Sequence, residues 1–236
     1  MIDNATQRRV GDGPTPEATA AELLQARSAL YDVLAAAFDG DVAVLAAAIE
    51  SGAFRELIES LPESDDSIHF EDGSVDEDAL ALAYDNLFVV PGPRYLPPFA
   101  SGHVAGPDGP YESDSPFHAG GSLLGDPAAS MVRLYDRAGF SPSRGEFPDH
   151  AAAQFEFLAT LVRAEERSRR HGDENVVEAI RDLQDQTLAR LEWIERVSDA
   201  IVDVDDTGVY AAVADIARTC VEVDRRDGFT AGGGHS

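Results

Sequence analysis

The sequence predicts an all-α fold, a single helical globule made of two helical subdomains that a hinge joins. Apolar residues recur at the three- and four-residue spacing of amphipathic helices along most of the 236 residues, and no alternating strand pattern of useful length interrupts them. Proline and glycine mark the ends of the helical segments. An apolar fraction of 44% at this length is sufficient for a substantial core.

The predicted organisation follows the chain in order. We expect a disordered leader over 1–15, an N-terminal helical part over 16–139, a hinge over 140–147, a C-terminal helical part over 148–226 and a disordered tail over 227–236. A loop over 89–125, rich in Gly, Pro, Ser and Asp, lies inside the N-terminal part. A loop this long within a compact protein is typically functional.

Capping residues locate the helices of the N-terminal part. Thr15 is the predicted N-cap of the first helix, and Ser74 opens a capping box that ends with Glu77. Helices are predicted from Pro16 through Phe38, over 41–51, over 54–61 and from Ser74 to near Phe88.

The C-terminal half shows the same punctuation. Asp126 is the predicted cap of a helix that Gly139 ends, and Gly172 ends the next helix. That next helix is predicted to begin at Pro148 and Asp149, which places Asp149 in its first turn. Residues 174–202 fit one long helix or two, and Thr207 is the predicted cap of the last.

The charge composition is unusual. The chain has 44 acidic and 18 basic residues, all of the latter Arg, for a net charge of −26. Such a surface repels nucleic acid and anionic membranes. Because the acidic residues are spread along the chain, we favour a protein adapted to high salt, where screening lengths fall to about 3 Å. The basic patch Arg163–Arg170 lies in the last turns of a helix and is interpreted as structural.

Several features bear on compartment. Cys220 is the single cysteine and is expected in the core, so no intrachain disulfide forms. No run of about 18 apolar residues predicts a membrane span. Arg8 and Arg9 are followed by no apolar segment, so we do not interpret them as an export signal. These features favour a soluble protein of the cytoplasm.

The stretch Tyr84–Ser101 is the most informative part of the sequence. It begins as the end of an amphipathic helix and then has four prolines and a glycine within eight residues. It nevertheless stays apolar, with Leu87, Phe88 and Phe99 among its side chains. Two interpretations stay open: a connection held against the core, and a preformed apolar groove for a peptide.

A second candidate is the segment Glu146–His150, where a linker becomes a helix. Asp149 is suited to capping there, while His150 is free to bind a peptide chain by a hydrogen bond. A metal site formed by Glu146, His150 and Glu156 is not favoured, because facing Glu-x-x-His pairs are absent from the sequence.

A hydrolase is also not favoured, because no nucleophile-elbow motif accompanies the Ser, His and Asp residues of the central loop. These residues are Ser101, His103, Ser113, Asp114, Ser115 and His118. We predict no cofactor, and no glycine-rich phosphate motif is present.

In fixed order, several motifs resemble the TorD/DmsD/NarJ family of cytoplasmic chaperones for molybdenum reductases. Its helix-to-loop signature is represented by Tyr84, Leu87-Phe88, Pro91-Gly92, Pro97-Pro98-Phe99 and Ser101. Later blocks are represented by Leu124–Pro127, Leu134-Tyr135, Ala138-Gly139, Glu146–His150, Phe155–Leu158 and Leu191–Trp193. Phe147 replaces the first proline of the hinge motif, and residues 104–122 form an insertion or a divergent loop.

The resemblance implies a chaperone, not an enzyme, that binds the twin-arginine signal peptide of a DMSO or TMAO reductase type of molybdoenzyme and assists cofactor insertion before export. The expected peptide-binding residues are Tyr84, Leu87, Phe88, Pro91, Pro98, Phe99, Ser101, Pro148, Asp149 and His150. Alternatives are a NarJ-like chaperone of a nitrate reductase subunit and a small helical enzyme using Asp149 and His150 as an acid–base pair. A monomer and a domain-swapped dimer both stay open.

Overall fold

The computed structural model describes residues 16–59, 75–103 and 125–227, and within these ranges the architecture is all-α, as predicted. The described α-helices are α1 Pro16–Asp39, α2 Val42–Glu50, α3 Ala53–Glu59, α4 Glu77–Tyr84, α5 Asp126–Ala138, α6 Ala151–His171, α7 Glu174–Leu188, α8 Ile194–Ile201 and α9 Val209–Asp227. Expectations for the leader, for residues 62–73, for His118 and its neighbouring serines, and for the tail beyond Asp227 lie outside the described residues.

Helix α6 is the centre of the fold. It is buried on nearly every side, with Phe155 and Phe157 both at 0% exposure, which is typical of a helix inside a core. Helix α1 lies along it. One face of α6 contributes Phe155 to the larger core, which also contains residues of α1, α2, α8 and α9, and the other contributes Phe157 to a smaller core with α5 and α7.

The larger core contains residues from both sides of the segment 140–147, including Phe38 of α1 and Val213 of α9. Cys220 lies in it, as predicted. The division into two helical parts joined by a hinge stays a prediction, and separation of the two parts would expose this shared core to water.

Most predicted helix ends are confirmed, but some capping residues differ. Asp76 rather than Ser74 caps α4, with its carboxylate accepting from the backbone N–H of Ala79. Gly125 occupies the N-cap position of α5, so Asp126 is its first residue. Gly172 ends α6 in the left-handed conformation.

The end of the fourth helix differs from the prediction, whereas residues 174–202 adopt one of the two predicted arrangements. The fourth helix is α-helical only to Tyr84 and continues as one π-helical turn, Asp85–Val89, in which the N–H of Val90 donates to the carbonyl of Asp85. Residues 174–202 form two helices, α7 and α8, separated by the 3₁₀ turn Ala189–Leu191. A further 3₁₀ helix, Ala100–His103, follows the proline-rich stretch.

Candidate functional site

The proline-rich loop and the start of α6 pair directly with one another. The N–H of Ala100 donates to the carbonyl of Asp149 at 3.0 Å, and the N–H of Ala151 donates to the carbonyl of Pro98 at 2.8 Å. Phe99 and His150 thereby form an isolated antiparallel bridge. Residues 97–101 and 147–151 are called the junction below. It brings two separately predicted segments together, although they lie about fifty residues apart in sequence.

Asp149 is the most unusual residue of the junction because its carboxylate is fully buried, at 0% exposure. Its Oδ2 accepts from the N–H of Ser101 at 2.7 Å, whereas Oδ1 has no hydrogen-bond partner in the structure described. Its own backbone carbonyl accepts from the side-chain amide of Gln154. A buried carboxylate with an unused oxygen is costly and is uncommon without a functional reason.

The prediction that Asp149 lies in the first turn of α6 is wrong. The helix begins at Ala151, and His150 is its N-cap, with Nδ1 accepting from the N–H of Ala152 at 3.1 Å. Asp149 therefore precedes the cap and binds the 3₁₀ helix instead. The prediction failed because proline is common at the first position of a helix, whereas Pro148 lies three residues before α6.

His150 is 6% exposed, and this burial lowers its pKa to about 4, although the negative charges of Asp39 and Asp149 act in the opposite direction. At neutral pH it is therefore uncharged. Gly145, which has a φ of +77°, packs against it: a Cβ on Gly145 would lie 2.9 Å from the Cβ of His150. This close approach and the positive φ both require glycine.

The remaining predicted site residues divide into buried and accessible groups. Tyr84, whose hydroxyl donates to the carbonyl of Phe38, packs its ring on Phe88. Phe88 and Leu87 are core residues at 4% and 1% exposure. Pro98 and Ser101 are also buried, whereas Tyr84, Phe99 and Pro148 are half-buried and Pro91 is exposed.

An aromatic pair lies at the edge of the junction. The rings of Phe99 and Phe147 are 5.4 Å apart in an edge-on arrangement, and both are half-buried. Phe147 is the residue that replaces a proline of the family motif. Its contact with Phe99 provides a physical role for that replacement.

Sequence reasoning missed the acidic corner beside the junction, which consists of Asp39 and Asp41. The guanidinium of Arg144 lies 3.2 Å from Asp39 and 3.4 Å from Asp41, and the N–H of Gly145 donates to Asp39 at 2.7 Å. Glu156 accepts from the N–H of Arg144 at 3.1 Å. The contacts to Asp39 and Asp41 join residues about a hundred positions apart, for which the sequence carries no local signal.

The residues considered for a hydrolase, an acid–base pair or a metal site are placed as follows in the structure. The Nε2 of His103 lies 2.7 Å from the carbonyl oxygen of Pro97, its ring stacks on Trp193, and burial lowers its pKa. The side chains of Asp149 and His150 accept hydrogen bonds from two different backbone N–H groups, those of Ser101 and Ala152 respectively. No group of three His, Cys, Asp or Glu side chains in the ranges described could hold a metal ion.

Three arginines of the basic patch on α6 pair with carboxylates. Arg163 pairs with Asp32, Arg169 with Glu165 at 2.7 Å, and Arg170 with Glu166 at 3.5 Å. Among the described helices, none is long and apolar enough to cross a membrane.

Comparison with known proteins agrees with the order of the motifs. A family model described as nitrate reductase delta subunit matches residues 34–198, more than two thirds of the chain. No curated protein and no solved structure matches it. The match includes both segments of the junction and α6, and it confirms the resemblance stated from the motifs. The chain therefore belongs to the nitrate reductase delta subunit family, a NarJ/TorD-type family of chaperones for molybdoenzyme maturation.

Proposed function

We propose that this chaperone binds the N-terminal signal peptide of a molybdopterin-containing reductase at the junction and assists cofactor insertion before export. The proposed client is of the DMSO or TMAO reductase type and carries a twin-arginine signal. The chain acts in the cytoplasm by binding, without turnover, as a monomer or a domain-swapped dimer. Its site is formed by the predicted residues together with the acidic corner Asp39–Asp41.

The observation that carries this proposal is that apolar and acidic side chains adjoin at the junction. Phe99 and Phe147 provide a half-buried apolar edge. The acidic corner is linked to that edge through Gly145, which contacts both Asp39 and His150. A twin-arginine signal has the complementary order, two cations followed by an apolar stretch.

Arg144 supports the cationic half of this proposal. Its guanidinium lies between the carboxylates of Asp39 and Asp41, and these three side chains are about one-third exposed. The corner is therefore able to bind a guanidinium in water. An arginine of the client peptide competes with Arg144 for these carboxylates, so binding releases the segment 140–147 from the corner.

Asp149 has a different role in the proposed site. Its unused Oδ1 is the acceptor available for a second arginine, and charge-assisted hydrogen bonds of this kind are the strong ones. Because the Asp149 carboxylate is fully buried, this contact requires neighbouring side chains to move aside. Leu87, Phe88 and Tyr84 shape the site from the core side.

A nitrate reductase subunit is a second candidate client, which the description of the matching family favours. Both clients would present an N-terminal peptide to the same surface. They differ in whether that peptide contains the arginine pair.

The test is a titration of the full chain with three synthetic peptides: a twin-arginine signal, the same signal with both arginines replaced by glutamine, and the N-terminus of a non-exported nitrate reductase subunit. We expect the double replacement to weaken the affinity about tenfold or more. Stronger binding of the nitrate reductase peptide would favour the second client. Equal binding of the first two peptides would contradict a site that recognises arginine.

The high acidic content supports a further part of the proposal, namely that the protein works in a salt-rich cytoplasm. Its net charge of −26 is tolerated where screening is strong. The binding experiments are therefore best made at about 2 M KCl as well as in dilute buffer, since salt also weakens the attraction between carboxylates and a cationic peptide.

A further inference from the structure

Gln154 is a polar residue of α6 that lies between the two cores. Its side chain is at 0% exposure, although glutamine is seldom fully buried unless its polar atoms are paired. The residue before it, Ala153, belongs to the smaller core, and the residue after it, Phe155, belongs to the larger core. A glutamine at such a position needs an explanation, and packing alone does not supply one.

The Gln154 side chain is joined to the junction through its nitrogen. Its Nε2 donates to the backbone carbonyl of Asp149 at 3.0 Å. Because a carbonyl oxygen only accepts, this bond fixes which end of the amide is the nitrogen. The other end, Oε1, is fully buried and accepts no hydrogen bond from the described residues.

Asp149 and Gln154 therefore each keep one unused buried acceptor, and one hydrogen bond holds the two residues together. These acceptors are Oδ1 of Asp149 and Oε1 of Gln154. In the part of the chain described, one other buried side-chain oxygen is unused, Oε1 of Gln184 in α7. Each unused acceptor costs free energy. Two of them on bonded neighbours suit a ligand that carries several N–H donors.

The position of this pair at the start of α6 restricts the kind of cation that it can bind. The partial positive charge of a helix N-terminus disfavours a cation, so the carboxylate of Asp149 needs the support of a second acceptor. A guanidinium has five N–H donors in a planar fork and is weakly hydrated, whereas an ammonium is a compact and strongly hydrated charge. The pair of acceptors therefore favours arginine over lysine.

We propose that Gln154 is a specificity-determining residue of the client-peptide site. Its Oε1 and the Oδ1 of Asp149 accept hydrogen bonds from a single guanidinium of the client, so this position requires arginine and excludes lysine. The inference rests on the proposed function and adds a residue that sequence reasoning did not select.

The two arginines of the client signal are then not equivalent. The acidic corner holds the other arginine with the carboxylates of Asp39 and Asp41, which are about one-third exposed. Carboxylates in contact with water attract a positive charge of either kind, so lysine replaces arginine there at little cost. Selection of arginine is confined to the buried pair Asp149 and Gln154.

The test is a titration of the full chain with four synthetic peptides. They are a twin-arginine signal, the two signals in which either the first or the second arginine is replaced by lysine, and the signal with both arginines replaced by glutamine. We expect one lysine replacement to weaken the affinity about tenfold and the other to weaken it less than about threefold. Gln154→Met, which removes both polar atoms at similar volume, should bring the two lysine-containing signals to within about threefold of each other.

The matched control is Gln184→Met, because it removes the same groups from another buried glutamine that has an unused Oε1. This variant should keep the tenfold difference between the two lysine-containing signals. Each comparison is made between peptides within one protein, so a general loss of stability cancels.

Equal affinities of the wild-type chain for the two lysine-containing signals would overturn the proposal, and this result does not depend on the folding of any variant. A tenfold difference that persists in folded Gln154→Met would also overturn it, because another group would then select the guanidinium. If both lysine-containing signals bind as tightly as the arginine signal and more tightly than the glutamine signal, the peptide site stands and the role of Gln154 fails. Equal binding of the arginine and glutamine signals would instead contradict the peptide site itself.

Discussion

Two buried carboxylates, that of Asp149 just before α6 and that of Glu165 in the C-terminal half of α6, have opposite surroundings. Glu165 and Asp149 are both at 0% exposure. Glu165 accepts hydrogen bonds from Arg169, Arg181 and Gln184 at 2.7–3.0 Å, so both of its oxygens are used. Although burial alone would raise its pKa, these hydrogen bonds hold the pKa of Glu165 below its usual range.

Asp149 has one hydrogen bond from Ser101 and an unused oxygen, and no cation lies in hydrogen-bond contact with it among the described residues. A carboxylate that only stabilises a fold is normally surrounded as Glu165 is. Glu165 therefore has the surroundings of a structural carboxylate, whereas the unused Oδ1 of Asp149 supports our proposal that Asp149 binds a cationic partner.

The largest expected effect is the loss of stability in Glu165→Ala. Removing the carboxylate removes the buried acceptor that Gln184, Arg169 and Arg181 share, which should cost about 3 kcal/mol in the free energy of unfolding. Denaturant titration measures this. The neighbouring variant Glu166→Ala loses a pair to the well-exposed Arg170 and a 3.3 Å hydrogen bond from Gln25, and should cost less than about 1 kcal/mol. Similar costs for the two variants would contradict the structural role of Glu165.

The next effect is a pH dependence that arises from His150. Because its pKa in the folded state is about 4, below the ordinary value of about 6.5, the unfolded chain takes up the proton first as the pH falls. Its contribution to stability is present above about pH 6.5 and is lost as the pH falls towards 4. From about pH 7 to about pH 5 this should remove about 2 kcal/mol.

The measurement for His150 is the free energy of unfolding of wild type and His150→Asn at both pH values. Asparagine retains an N-cap oxygen, and His103 titrates equally in the two proteins, so their difference isolates His150. A wild-type loss no greater than that of the variant would show that His150 is not buried as described.

A smaller effect distinguishes what the Asp149 side chain contributes to stability as a hydrogen-bond acceptor from what it contributes as a negative charge. Asp149→Ala leaves the N–H of Ser101 unpaired inside the junction and should cost about 1–2 kcal/mol. Asp149→Asn keeps a side-chain oxygen for that N–H and should cost less than about 1 kcal/mol. Thermal or denaturant unfolding of the two variants measures the difference. Equal destabilisation by both would mean that the charge itself holds the fold.

The smallest effect is the salt dependence of the Glu165→Ala cost. Wild-type stability should rise from about 0.1 M to about 2 M KCl, because screening removes repulsion among the many surface carboxylates. The cost of Glu165→Ala should stay within about 1 kcal/mol across this range, because buried pairs are screened much less. A flat wild-type melting temperature would instead count against adaptation to high salt.

The helices could be predicted from sequence because the residues that a helix contributes to one core recur with the helical period, as Phe155, Leu158 and Val162 of α6 do in the larger core. Both segments of the junction could also be identified, since their prolines and apolar residues stand out in a linker. Their pairing could not, because the hydrogen bonds of Ala100 and Ala151 involve backbone atoms common to all residues. The acidic corner and the unused oxygen of Asp149 depend on tertiary distances and leave no sequence pattern.

The most direct test of the account is the affinity of a twin-arginine signal peptide for Asp149→Asn compared with wild type, at matched stability. The control is Glu166→Gln, which removes the charge of one carboxylate of α6 outside the junction. The account predicts that Asp149→Asn binds the peptide about ten- to a hundredfold more weakly while its free energy of unfolding changes by less than about 1 kcal/mol. Unchanged affinity in a normally folded Asp149→Asn would contradict the account and assign Asp149 to the scaffold alone.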